Sequence, residues 1–374
     1  MIKVYTFRER PSYRKTFLGS PGILFKKISN YRQNKREYKE HRLQLKSLPI
    51  YLNVDVNNVC QLKCPLCPNG AGYNHRTKGK MNFADYKRLL DEIGDYIIRA
   101  YMFTWGEPLL NDDIYEMVAY AKKKLIFTNF SSNLNYLSSP ERLVSSGLDT
   151  LKLSIDGVTE ETYRKYRIGG DFKQVMENLR LIIEARKKQR KRTPYITWQY
   201  LVFKHNIHEM PAAVARAKEM GCDAIQFIGG HSFMGLMPNS DVKDLVALAG
   251  DYLVARDSEF SIYNSRDELK HPAEQCSWLW QSGSVNYNGS VSPCSGVWPE
   301  NYDFGNCFTS SFREVWNNGK YREAREFVRR AANHEPINAG DSANICALCA
   351  GRRNYVDGVA RSRGPAVFVR EPAK

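Results

Sequence analysis

Apolar and polar positions alternate in short runs from Ile50 to Gly230, and longer stretches with helical spacing separate the runs. The pattern predicts strands over 50–56, 99–104, 124–131, 150–155, 195–203 and 224–229. Between them it predicts helices over 82–93, 111–123, 139–146, 171–189 and 207–220. Strand and helix in strict alternation at this spacing make βαβ units, and βαβ units make a parallel sheet. Six units are too few for a closed eight-fold barrel. Residues 231–270 read as a connection with one helix near 242–256, and from about 271 the strands shorten and glycine-rich turns appear.

The fold class is therefore α/β, six βα units around a parallel sheet, followed by a small C-terminal α+β module. The boundaries fall at 1–48 (a basic N-terminal arm), 49–235 (the βα units), 236–270 (the connection), 271–353 (the second module) and 354–374 (a tail). At 43% hydrophobic and 25% charged residues, the 374-residue chain is globular. No stretch approaches the roughly 20 apolar residues of a membrane span, and no apolar signal core opens the chain. The expected compartment is the cytoplasm, where nine cysteines argue for metal or catalytic use over disulfides.

The formal charge is +15, and residues 1–48 carry 13 Lys or Arg against 3 Glu. A second basic run spans Arg186 to Arg192. The functional reading is an anionic partner: a phosphorylated or nucleotide-linked substrate, nucleic acid or an anionic membrane surface. The plain reading is a solvated surface with a flexible arm.

Cys60, Cys64 and Cys67 stand as C-x3-C-x2-C immediately after the first strand. Three close thiolates can hold three irons of a 4Fe-4S cubane and leave the fourth open to a ligand. A structural zinc ion asks instead for four ligands, often as two C-x2-C pairs. In parallel α/β folds ligands gather at the carboxyl ends of the strands, which is where this loop falls. Gly106-Glu107-Pro108 follows the second strand, Ser131-Ser132-Asn133 the third, and Ser154-Ile155-Asp156-Gly157 with Tyr166-Arg167 the fourth.

These motifs resemble those of the radical S-adenosylmethionine (radical SAM) enzymes, and the resemblance implies that the six βα units form a partial (β/α)6 TIM-like barrel. The resemblance implies that the open iron chelates S-adenosyl-L-methionine and cleaves it to a 5′-deoxyadenosyl radical. It further implies that the Gly106–Glu107 segment contacts the cofactor's amino group, Ser154 and Asn133 its ribose or carboxylate, and Arg167 its carboxylate. The capping and turn roles common to Ser and Asn remain the alternative. Two departures stand out: Leu134 replaces a glycine of the family's third-strand motif, and Leu66 replaces a common aromatic before the last cysteine.

Cys276, Cys294 and the C-x2-C pair Cys346 and Cys349 resemble the auxiliary-cluster module called SPASM, in its shortened form, twitch. Four thiolates fill one auxiliary 4Fe-4S cluster, for which electron transfer is the implied role. Structural zinc is the alternative there. Cys222 and Cys307 read as buried core residues. His231, past the sixth strand, is a candidate substrate contact or base against a loop histidine without a role.

The resemblance thus implies a radical SAM iron–sulfur oxidoreductase that abstracts a substrate hydrogen and oxidises the product radical through the auxiliary cluster. A small carbohydrate-like or phosphorylated metabolite is the expected substrate, because 48 residues are short for a folded peptide-recognition domain. A peptide- or protein-modifying maturase is the alternative. An external electron donor such as flavodoxin or ferredoxin is implied. A different class, a zinc-bearing basic nucleic-acid-binding protein, would leave Cys60, Cys64, Cys67 and Gly106-Glu107-Pro108 unexplained.

Overall fold

The computed structural model describes residues 2–9, 20–73, 75–230, 248–255, 257–261, 276–333, 335, 344–347 and the backbone of 366–370. Six parallel strands, β2 (Tyr51–Val54), β3 (Arg99–Tyr101), β4 (Phe127–Ser132), β5 (Thr150–Ser154), β6 (Tyr195–Val202) and β7 (Ala224–Gly229), run side by side in chain order. Asn82, Ser139, Thr159 and Asp171 cap four of the helices between them through their side chains. In α2 (Phe83–Ile93) Asn82 accepts from the Asp85 N–H, and Tyr86, Leu89, Leu90 and Ile93 form the buried stripe. Then come α3 (Ile114–Lys123), α4 (Pro140–Ser145), α6 (Phe172–Lys188) and α7 (Met210–Glu219), with α5 (Glu160–Tyr166) between β5 and α6.

The six predicted strands and five predicted helices are present. α5 is the addition: Thr159 caps seven residues, too few for a periodic signal to stand out. Residues 248–252 are helical within the predicted 242–256, of which 242–247 and 256 lie outside the described residues.

The sheet continues past both edges of the six. β8 (Ser282–Val285) pairs parallel with β2, and β9 (Ser290–Ser292) and β10 (Gly305–Asn306) follow antiparallel. At the other side β1 (Ile2–Thr6) pairs antiparallel with β7, and β11 (Ala366–Arg370) parallel with β1. With β10 and β11 as its two ends, the eleven-stranded sheet is an open barrel. The cysteine-bearing second module is thus continuous with the barrel sheet.

Residues 1–48 are not a plain arm. Besides β1 they form α1 (Pro21–Lys39), which lies under the amino ends of the strands: Lys27 donates to the carbonyls of Gly94 and Ile97, just before β3. Asn34 donates to the carbonyls of Leu48 and Trp280, before β2 and β8. Among the described residues, no helix is long and apolar enough to cross a membrane.

Candidate active site

At the opposite, carboxyl end of the strands lies a cavity of about 220 Å³. Cys60, Cys64, Cys67, Gly106, Glu107, Asn133, Ser154 and Arg167 all line it, although they come from five separate segments of the chain. Every sequence-derived candidate of the barrel is therefore in one place, except His231, which lies outside the described residues.

The thiol loop is held by buried amides. The Asn57 Nδ2 donates to the carbonyls of Val59 (3.2 Å) and Glu107 (2.7 Å), and its Oδ1 accepts from the Val59 N–H. Asn69 donates to the carbonyls of Asn58 and Trp105, both at 2.8 Å. Asn58 donates to Thr77 and accepts from the Gly79 N–H. Each amide satisfies loop backbone that no sheet partner reaches. Two glycines permit the close approach: a Cβ on Gly106 would lie 1.9 Å from the Asn57 carbonyl, and one on Gly70 would lie 2.5 Å from the Cys64 nitrogen.

Glu107 is buried, and its carboxylate accepts from the Asn133 N–H at 2.7 Å and the Leu109 N–H at 3.0 Å. It ties the loop after β3 to the loop after β4. Burial, only partly offset by these donors, pushes its carboxyl up to about 7. Asn133 donates to Cys60 Sγ at 3.6 Å, and its Oδ1 accepts from Gln61 at 3.2 Å. The Ser154 hydroxyl pairs with that of Ser131 at 2.9 Å.

Arg167 is the cation of the cavity. Its Nε donates to the buried Asp156 at 2.6 Å, which leaves Nη1 to reach Cys64 Sγ at 3.6 Å. Leu134, at the family's glycine position, holds φ 57° in the left-handed region. Its side chain is fully buried in the main core, and its N–H donates to Ser132. Core packing offsets the strain that glycine would avoid. Leu66 packs with Leu62, Tyr166 and Phe203, so the apolar wall that an aromatic would supply there comes in part from the Tyr166 ring.

Sequence reasoning missed several lining or bracing groups. Gln199 lines the cavity from β6, paired in register with Ser154. Asp156 belongs to the fourth-strand motif, yet the motif alone assigns it no task. Asn57, Asn58 and Asn69 flank the cysteines, and that density of asparagines in a buried loop is the signal that could have found them.

The donor set can be tested against an iron–sulfur cluster. Burial pushes the Cys60 thiol up to about 12 and Cys64 up to about 11, and raises Cys67. Cys64 is buried and Cys60 and Cys67 partly so, and three such thiolates together call for cationic charge beyond Arg167, which a metal cluster brings. Among the described residues, no three His, Cys, Asp or Glu side chains are grouped as ligands of a single metal ion. One thiolate per iron on a polynuclear cluster asks for no such grouping. The three thiols, with the polar groups that line the same cavity, fit a cubane that keeps one iron open to a ligand.

In the second module Cys294 packs with Val297 and Ile345, and Trp278, Tyr302 and Cys346 border them. The Cys346 thiol is raised by burial and further by Cys294 and Cys276, so the three stand near one another. Cys349 lies outside the described residues. Cys222 and Cys307 are buried, as expected of core residues.

The thiol loop grips this module directly. Arg76, fully buried, makes a two-pronged contact with Asp303 at 2.7 and 2.9 Å and donates to the Trp298 carbonyl. Trp298 donates to the Tyr73 carbonyl and packs edge-to-face on the cavity-lining Trp105, centroids 5.3 Å apart.

Comparison with known proteins agrees with this geometry. Residues 54–216 match the family model of the radical SAM superfamily, and residues 276–350 match that of an iron–sulfur cluster-binding domain, SPASM. A PqqA peptide cyclase of Gluconobacter oxydans (strain 621H) is 25% identical over 288 residues, 74% of this chain and 78% of the relative. One from Xanthomonas campestris pv. campestris (strain 8004) is 23% identical over 73% of this chain and 74% of the relative. Streptococcus suis SuiB bound to S-adenosylmethionine shares the fold, with a TM-score of 0.57 at 16% identity, covering 93% of this chain and 82% of that one.

Proposed function

From the premise that this chain is a radical SAM enzyme with a SPASM-type iron–sulfur domain, we propose that it modifies a peptide. The observation that carries the reading is the match to PqqA peptide cyclases across about three quarters of both chains. It favours the peptide alternative over the small carbohydrate-like metabolite expected from the short N-terminus. The zinc-bearing nucleic-acid reading has no comparable support.

We assign Cys60, Cys64 and Cys67 to a 4Fe-4S cluster, and Cys276, Cys294, Cys346 and Cys349 to one auxiliary 4Fe-4S cluster. When bound, the first cluster and S-adenosyl-L-methionine together supply a radical that abstracts a substrate hydrogen. The chain's own residues position and enclose that chemistry. Arg167, held by Asp156, offers its remaining N–H groups to an anionic carboxylate. Ser154 and Gln199, neighbours across β5 and β6, present hydroxyl and amide groups to a ribose. Glu107 positions the loop after β3 through the backbone of Asn133, so carbonyls of that loop are the acceptors for an ammonium. Leu62, Leu66, Tyr166 and Leu201 make the cavity wall apolar, which excludes water from reactive species. Cys276, Cys294, Cys346 and Cys349 would hold an auxiliary cluster that would supply an electron-transfer centre, and an external donor such as flavodoxin or ferredoxin in a reducing cytoplasm would serve the first site.

The test works with mixed substrate fractions. Reconstituted enzyme, S-adenosylmethionine and reductant are incubated anaerobically with a deuterated peptide fraction or a deuterated small-metabolite fraction. The peptide reading predicts deuterium in 5′-deoxyadenosine from the peptide fraction. Deuterium from the metabolite fraction alone would contradict it.

A further inference from the structure

The helix α1 is built inside out. The side it turns to the protein carries Lys27, Asn30, Asn34 and Glu37, all buried and at helical spacing. Each is hydrogen-bonded there. Lys27 donates to the Gly94 carbonyl, and Asn30 exchanges two bonds with Leu48. Asn34 donates to the Trp280 carbonyl, and Glu37 accepts from the Lys46 and Ser47 N–H groups. A helix ordinarily buries its apolar stripe and exposes its polar one. Here three large apolar residues point outward, Phe25 74% exposed, Ile28 42% and Tyr31 40%, while Tyr38 near the helix end packs on Trp280.

The cations lie among them. Arg32, Arg36 and Lys39 are exposed, Lys26 at the flank pairs with Asp95 at 2.8 Å, and the Lys35 ammonium sits 5.5 Å from the Tyr31 ring centroid. The sole acid within α1 is the buried Glu37. An outward helix face of three large apolar side chains, interleaved with cations and carrying no acid of its own, is the pattern of an interfacial helix.

We propose that α1 docks the enzyme on an anionic lipid surface, with Phe25, Ile28 and Tyr31 entering the headgroup boundary and the surrounding cations meeting anionic headgroups. Charge selects this occupant over a second copy of the chain, because self-association would bring two cationic faces together. Position selects it over the substrate. α1 lies under the amino ends of β2, β3 and β8, whereas the thiol-ringed cavity opens at the carboxyl ends. Docking through α1 therefore leaves the cavity mouth facing away from the lipid and open to substrate. The proposal stands independently of which substrate the enzyme takes.

The experiment is vesicle co-sedimentation of the full-length, cluster-reconstituted protein. Vesicles of phosphatidylcholine alone are compared with vesicles containing about one third phosphatidylglycerol. The parent is expected to bind the anionic vesicles and to release as salt rises. The triple variant Phe25→Ser, Ile28→Ser, Tyr31→Ser keeps the charge of the parent. It should bind about tenfold more weakly or worse, with unchanged melting and unchanged cleavage of S-adenosylmethionine. Replacing Arg32, Arg36 and Lys39 by Gln should also weaken binding to anionic vesicles. The proposal is overturned if the parent ignores anionic vesicles at low salt. It is also overturned if the apolar triple variant binds as the parent does, since general positive charge would then suffice. A parent dimer that the triple variant dissolves would assign the face to self-association instead.

Discussion

The two thiol sites are built from different materials. Around Cys60, Cys64 and Cys67 the loop is braced by buried amides, and the cavity is lined by a cation, a carboxyl, hydroxyls and an amide. Around Cys294 and Cys346 the packed side chains are Val297, Ile345, Trp278 and Tyr302, and a polar brace among the described residues is Asn344, which accepts from the Cys346 N–H. Polar groups aimed into a cavity belong to a site that must orient a polar ligand. Thiols packed in apolar surroundings suit a site that holds its metal and exchanges only electrons. Under the proposed function, the difference assigns orientation of a polar cofactor to the first site and electron transfer to the second.

The sharpest way to break this contrast is to remove each set of thiols. Replacing Cys60, Cys64 and Cys67 by Ala should abolish formation of 5′-deoxyadenosine and halve the iron from roughly eight to four per chain. Replacing Cys294 and Cys346 by Ala should also halve the iron, yet leave measurable 5′-deoxyadenosine and remove oxidised product. Oxidised product at the parent rate from a well-folded auxiliary variant would make that cluster structural.

A smaller effect is expected at the joint between the sites. Arg76→Met leaves Asp303 buried without its cation and should cost about 3–5 kcal/mol. Asp303→Leu alone strands Arg76 and should be similarly costly. The double variant should recover much of the loss, because no unpaired charge remains. Thermal melts of the three proteins check this, and equal destabilisation by the double variant would show that shape, not charge pairing, holds the joint.

The smallest effect concerns Asp55, a fully buried carboxyl at the end of β2 that accepts from the Trp105 N–H. Burial pushes it up to about 7. Its folded pKa lies above its unfolded value, so the native state holds the extra proton between about pH 4 and 7. Its contribution is therefore present below about pH 4 and lost as pH rises to about 7. Relative to Asp55→Asn, the parent should lose melting temperature across that window, on the order of several degrees. Parallel melting curves for the two proteins would contradict the assignment.

Much of the barrel was legible because its signal is local. β7 matches its expected bounds, and β6 ends one residue early, since alternating apolar positions leave little freedom of register. The thiol triad was legible because one short loop carries it. Groups that meet only through the fold were not legible. Nothing near Arg76 in sequence points to Asp303, 227 residues away. Nothing in β8 announces that it pairs with β2. α1 was hidden for a different reason: its polar side is the buried one, so periodicity points the wrong way. Gln199 shows a third kind of failure, because one amide in an apolar strand gains meaning only beside Ser154.

The most direct test of the two-site account is electron paramagnetic resonance of the reduced protein, with and without S-adenosylmethionine. The parent should show signals from two cubanes, of which the cofactor shifts one. In the variant lacking Cys60, Cys64 and Cys67 a single signal should remain, and the cofactor should leave it unmoved. If S-adenosylmethionine shifts that remaining signal, the auxiliary site has an open iron, and the division of labour described here is wrong.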